Sequence, residues 1–232
     1  MATLKVFCTI AMRSAVSELL PELERTLGQQ LDVTWGTAPM LVQRVESGET
    51  ADVLILSKAG IQTLLQKGKI VPGSEMMLAS SATAVAVKAG APKPDISTTD
   101  AFVKALLDAK GVAYTHPSAG GASGVYFAQL IERLGIAEKI NAKAKHPPAG
   151  GFSGELLLTG EADIAIQQKP ELMHVAGTEV VGLFPPELNL VTEFVAGVMP
   201  GSQQAAAANA LIQSLCTQEA KAAIKAKGLE LS

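Results

Sequence analysis

Apolar positions in the first seventy residues follow two rhythms in alternation. Leu4 to Ile10 (LKVFCTI) is a short run of strand-forming residues. Ala15, Leu19, Leu23 and Leu27 then fall at helical spacing, with Gly28 as a stop. QLDVTWGT predicts a second strand, PMLVQRVESGE a helix, ADVLILS a buried strand and IQTLLQKGKIV a further helix. Strands alternating with helices predict a parallel sheet with right-handed crossovers.

A strand-like run from Ser80 to Gly90 opens a second series. Helix TTDAFVKALLDA, strand GVAYTH, helix SGVYFAQLIERLGI, helix ELLLTGE and strand ADIAIQQ follow, and NLVTEFVAGVMPGS is one more strand run. Gln203 to Gly228 is rich in Ala and Lys and reads as two helices with an apolar face to bury. Two β/α series joined by extended segments predict two lobes. The first spans 1–82 plus 196–232, the second 83–195, with hinges near 80–88 and 192–198. Ligands of open α/β sheets sit outside the carboxyl ends of the strands, so two facing sheets predict a ligand cleft between the lobes.

Composition narrows the partner. Hydrophobic residues are 48% and charged residues 18% of the 232, a globular balance. The net charge of -3, with no basic run, argues against nucleic acid. No apolar run is long enough to span a membrane. MATLKVF shows no signal peptide, which suits either a cytoplasmic chain or a mature secreted one. Cys8 and Cys216 are too far apart in sequence for a metal motif and read as buried small hydrophobes, with a disulfide left open. Neither a metal site nor a cofactor motif is expected.

One motif is written twice: HPSAGGASGVYF from His116 and HPPAGGFSGELL from His146. Each places Ala-Gly-Gly-x-Ser-Gly where a loop enters a helix. The glycines let backbone N–H groups face a ligand, Ser123 and Ser153 can cap the helix or donate, and the helix N-terminus favours an anion. The plainer reading is two well-made helix starts. With Arg13 at the start of the first helix, the pair points to an anion.

LKVFCTIAMRSAVSELLPELE, VESGETADVLILSKAGIQTLLQKGKI, HPSAGGASGVYFAQLIERLGI and LLLTGEADIAIQ resemble the periplasmic molybdate-binding proteins and their relatives over nearly the whole chain. These are type II periplasmic binding proteins of the Venus-flytrap kind. The resemblance implies an α/β fold of two doubly wound sheets, a small anionic ligand, a periplasmic location and, for a carrier, an ABC transporter permease as partner. It places the ligand against Ala11, Met12 and Arg13, against Thr37 and Ala38, against Ser118, Gly120, Gly121, Ala122 and Ser123, against Gly150, Gly151, Phe152 and Ser153, and against Gln168. The chain departs from molybdate binders at Ala11, where they place Ser, at Gly36-Thr37-Ala38-Pro39, where only one hydroxyl remains, and at Gln167 and Gln168, where they often carry Tyr. An Arg in place of hydroxyls suits a planar carboxylate, which a guanidinium grips in a bidentate fork.

The expected function is therefore solute binding of a small di- or tricarboxylate such as aconitate, with molybdate binding poorly. The alternative is the aconitate isomerase branch of the same superfamily, which interconverts cis- and trans-aconitate by an allylic proton shift. That reaction needs a base near a methylene and donors for the carboxylates. His116, Glu155 and Lys58 are the candidate bases. Each has a plainer alternative: a strand-ending histidine, a first-turn acid and a surface lysine. Lys169 and Tyr126 read in the same double way, and Asp52 reads as structural.

Overall fold

The computed structural model describes residues 3–231. They fall into two compact units, one made of the chain up to Ser80 and from Thr192 onward, the other of Ser81–Val191. Along the chain, β1 (Thr3–Thr9), α1 (Arg13–Leu27), β2 (Gln30–Gly36), α2 (Ala38–Glu46), β3 (Val53–Ser57) and α3 (Lys58–Gln66) come first. The long strand β4 (Met76–Lys88) leads into α4 (Thr99–Asp108), β5 (Val112–Tyr114), α5 (Ala122–Arg133), α6 (Ala137–Asn141) and β6 (Ala144–Lys145). Then come α7 (Glu155–Leu158), β7 (Ile164–Gln168), α8 (Lys169–His174) and β8 (Thr178–Leu183). Strand β9 (Val191–Val198) precedes the closing helices α9 (Ala205–Ser214) and α10 (Gln218–Ala226).

In the first unit the sheet runs β2-β1-β3-β9, with β1 parallel to both neighbours and β9 antiparallel to β3. The unbroken apolar run of β3 fits a strand covered on both faces. Its alternate residues divide accordingly. Val53 and Ile55 lie in the core shared with α1, α9 and α10, while Leu54 and Leu56 lie in the core under α2 and α3. Helix α1 buries Ala15, Val16 and Leu23, with Leu19 and Leu27 partly covered, and ends at Gly28. Asp52 serves the frame: its carboxylate accepts from Lys5 N at 2.8 Å and from Ser202 Oγ at 2.5 Å. That ties the start of β3 to β1 and to the turn before α9.

The second unit carries the order β8-β4-β7-β5-β6, with β4 antiparallel to β7 and β8, and β5 parallel to β6 and β7. Val85, Val112, Tyr114, Ile164 and Ile166 face a core closed by α4, α5 and α6. Ala84, Ala86, Ala113 and Ala165 face the other side, where Leu157 of α7 and Leu172 of α8 pack. Small residues there let two very short helices lie close to the sheet.

Several elements differ from the sequence reading. Strand β4 begins at Met76 rather than Ser80, and α8, β6 and β8 were not anticipated. The helix expected from ELLLTGE is a single turn, because Thr159 and Gly160 end it. Cys8 and Cys216 are free thiols, and Cys216 is only partly covered where a buried residue was expected.

Candidate functional site

In the first unit, the carboxyl ends of β1, β2 and β3 each lead directly into a helix. Thr37 caps α2 by accepting from Met40 N at 3.4 Å, and Ser57 caps α3 by accepting from Gly60 N at 3.3 Å. Helix α1 is different. A tight 3-10 turn, Ile10–Met12, delivers it, and the cap position, Met12, offers no side-chain acceptor. Ala11 and Met12 are core residues. Arg13, the first helical residue, lies with its guanidinium carbon 5.9 Å from the centre of the Trp35 ring and makes no ion pair among the described residues. A cation at a helix N-terminus opposes the macrodipole, and the Trp35 ring is the aromatic face nearest to it. Lys58 is compensated: its Nζ is 2.7 Å from Glu193 and both side chains are about half exposed. Ala38 supplies the first residue of α2, with Pro39 behind it.

In the second unit, β5 runs into Thr115 and His116, a 3-10 turn over Pro117–Ala119, and then Gly120, whose φ of 72° requires a glycine. Gly121 caps α5 without a side-chain acceptor. A Cβ on Gly124 would lie 2.1 Å from the Thr115 carbonyl oxygen, so the last glycine of the motif exists to let α5 rest on the end of β5. Ser123 is the second residue of α5, so it does not cap the helix, one of the two roles that the sequence left open for it. The hydroxyls of Thr115 and Ser123 are both buried. Among the helices of nine or more described residues, α1, α5 and α9 lack a side-chain cap. Of these, α1 and α5 follow the carboxyl end of a parallel strand.

The second Gly-Gly loop is held from within. Ser153 N donates to Gln167 Oε1 at 2.8 Å, Ser153 Oγ lies 3.0 Å from that oxygen and 3.1 Å from the Ile166 carbonyl, and Gln167 Nε2 donates to Gly151 O at 3.3 Å. Ser153 thus serves the loop itself, clamping Gly151–Ser153 to the end of β7. Phe152 is buried, its ring 4.6 Å from that of His174. Glu155 opens α7 and is exposed. Gln168 is the cap residue of α8, in a capping box with Glu171, whose Oε2 accepts from Gln168 N at 3.1 Å. Glu171 is buried, and burial pushes its carboxyl up to about 8.

The two His-Pro steps meet. The His116 and His146 rings stand edge to face with centres 4.8 Å apart, and Tyr114 packs on His146 at 4.7 Å. His146 Nδ1 lies 2.8 Å from the Tyr114 carbonyl, which can only accept, so Nδ1 is the donor in this contact. His116 Nδ1 accepts from Ser118 N at 3.2 Å and lies 2.7 Å from Ser118 Oγ, so its proton sits on Nε2. Each ring thereby pins its own loop. Lys169 begins α8, and Tyr126 Oη donates to the Leu188 carbonyl at 2.8 Å, a packing role.

Sequence reading passed over Thr115, Thr83 and Glu171. Gln168-Lys-Pro-Glu171 carried a usable signal, a cap-to-third-residue box with Pro in the first turn. Among the described residues no three His, Cys, Asp or Glu side chains stand close enough to hold a metal. None of the described helices is long and apolar enough to cross a membrane.

Two α/β units, each with β-to-helix turns at the carboxyl ends of its parallel strands, define a type II periplasmic binding protein. The chain belongs to the bacterial extracellular solute-binding protein family, which it matches over residues 4–230. It is 34% identical to an aconitate isomerase of a Pseudomonas species over 234 residues, covering 98% of this chain and 87% of that protein. Its fold is similar to the periplasmic molybdate-binding protein of Azotobacter vinelandii (TM-score 0.79, 19% identity, 99% of each chain). It is also similar to a sulfate-binding protein of Mycobacterium tuberculosis (TM-score 0.75, 19% identity, 99% of this chain and 86% of the other).

Proposed function

We propose that the protein binds a small, multiply charged carboxylate of the di- or tricarboxylate class, aconitate among them. Arg13 carries this reading: a guanidinium without an ion-pair partner among the described residues, at a helix start without a side-chain cap. A guanidinium matches the planar, two-oxygen geometry of a carboxylate better than a tetrahedral oxyanion. In the second unit the uncapped start of α5, at Gly121, Ala122 and Ser123, offers N–H donors for a carboxylate. The start of α1 and the start of α5 each favour an anion. The aconitate isomerase relative supports the same ligand class. As a carrier, the protein would hand its ligand to an ABC-type permease outside the cell membrane.

Calorimetric titration with cis-aconitate, trans-aconitate, citrate, sulfate and molybdate tests the reading. Micromolar binding of a tricarboxylate with weak molybdate binding is expected. Submicromolar molybdate binding would sink it.

A second reading rests on the aconitate isomerase relative alone: the bound tricarboxylate is turned over. A base would take a proton from the methylene and return it at the other end of the allylic system while N–H donors hold the carboxylates. His116, Glu155 and Lys58 are the bases to test, and the Glu193 partner of Lys58 disfavours it. An ultraviolet assay following the trans isomer from cis-aconitate separates turnover from binding.

A further inference from the structure

Thr83 is buried, and its hydroxyl has no hydrogen-bond partner among the described residues. The backbone at this position is fully engaged. Its N–H lies 3.2 Å from both the Leu190 carbonyl and Asn189 Oδ1, and its carbonyl accepts from Phe184 N at 3.2 Å. An orphaned hydroxyl in so well tied a strand costs stability and asks for an explanation.

Register gives its place. Thr83 pairs with Gln168, so the two side chains share a face of the sheet. Two residues further along β4, and two back along β7, Val85 and Ile166 lie in the core under α5. Thr83 therefore stands on the α5 face, one step beyond that core. The β5–β7 register puts Tyr114 level with Ile166, so Thr115, against which the first turn of α5 rests, stands within a residue of the level of Thr83. The separation across β4, β7 and β5 is two strand spacings, roughly 10 Å, on the scale of a six-carbon tricarboxylate and its hydrogen bonds. The buried hydroxyl and the uncapped helix start are independent features at one end of one sheet.

We propose that Thr83 is a specificity-determining ligand contact: its hydroxyl hydrogen-bonds one oxygen of a tricarboxylate whose other end lies at the N-terminus of α5. This rests on the carboxylate reading above. The test uses the whole chain, with cis-aconitate as probe, titrated against the parent, Thr83→Val and Thr83→Ser. Valine removes the hydroxyl at similar volume and suits a strand. Thr83→Val should bind about tenfold or more weakly, the scale of a hydrogen bond to a charged group. Thr83→Ser should bind nearly as the parent does, and ligand-free Thr83→Val should melt at the same temperature or higher. Equal binding by Thr83→Val and the parent overturns the inference, as does equal weakening of both variants together with lower melting, which marks a packing role. A parent that binds no tricarboxylate instead removes the carboxylate reading, and this contact falls with it.

Discussion

Replacing Glu171 by glutamine isolates one proton. The side chain is 5% exposed, and desolvation raises its carboxyl from 4.5 to about 8, against the pull of the Gln168 N–H. The folded protein thus keeps a proton that the unfolded chain releases above its ordinary value. That contribution is fully present below about pH 4.5 and is lost as pH rises through about 8. A gap of about 3.5 pH units at about 1.36 kcal/mol each sets a ceiling near 5 kcal/mol, and local relaxation leaves something on the order of 2–4 kcal/mol. Glutamine keeps an oxygen for the Gln168 N–H, so the cap of α8 survives while the titration goes. Melting curves of parent and Glu171→Gln should coincide near pH 5. Near pH 9 the variant should melt several degrees higher, at about 2–4 °C per kcal/mol for a chain of this size. A melting difference that stays flat across that range refutes the account of Glu171 as a buried, protonated acid.

Arg13→Ala should weaken carboxylate binding by roughly 2–4 kcal/mol, the scale of truncating one partner of a buried charge pair, while ligand-free stability stays level or rises. Calorimetry and melting read the two, and unchanged affinity would make Arg13 a packing partner of Trp35 only. Gly124→Ala drives a methyl against a backbone carbonyl that cannot step aside. A loss of roughly 2 kcal/mol or more in stability is expected, the upper range of overpacking, together with weaker ligand binding. A variant as stable as the parent would show that α5 can lift from the end of β5.

The β/α alternation was legible because β1 and β3 and helices α1, α4 and α5 each bury one uninterrupted apolar pattern. Strand β8 was not, because all six of its residues are partly or fully exposed and the pattern carries no buried face. Strand β6 has two residues, too few for a period. At the site, the repeated Gly-Gly strings marked both loops, but not how each is held. Only register and packing show that Ser123 lies past the cap of α5 while Ser153 is clamped by Gln167. Thr83 and Glu171 were illegible for a related reason. A lone polar residue in an apolar run shows its burial only when its cross-strand neighbours are known.

Strand β9 gives the chain an unequal schedule of manufacture. All of Ser81–Val191 leaves the ribosome as one stretch, so that unit holds its complete set of strands before translation ends. The other begins to be made first and is finished last. Its sheet lacks the β9 edge until residue 198 exists, and α1 has no covering helices until α9 and α10 follow. During that interval Leu4, Val6 and the apolar stripe of α1 have no permanent cover. A nascent chain stalled before β9 should therefore bind holdase chaperones through its first seventy residues, while the segment from Ser81 already resists protease.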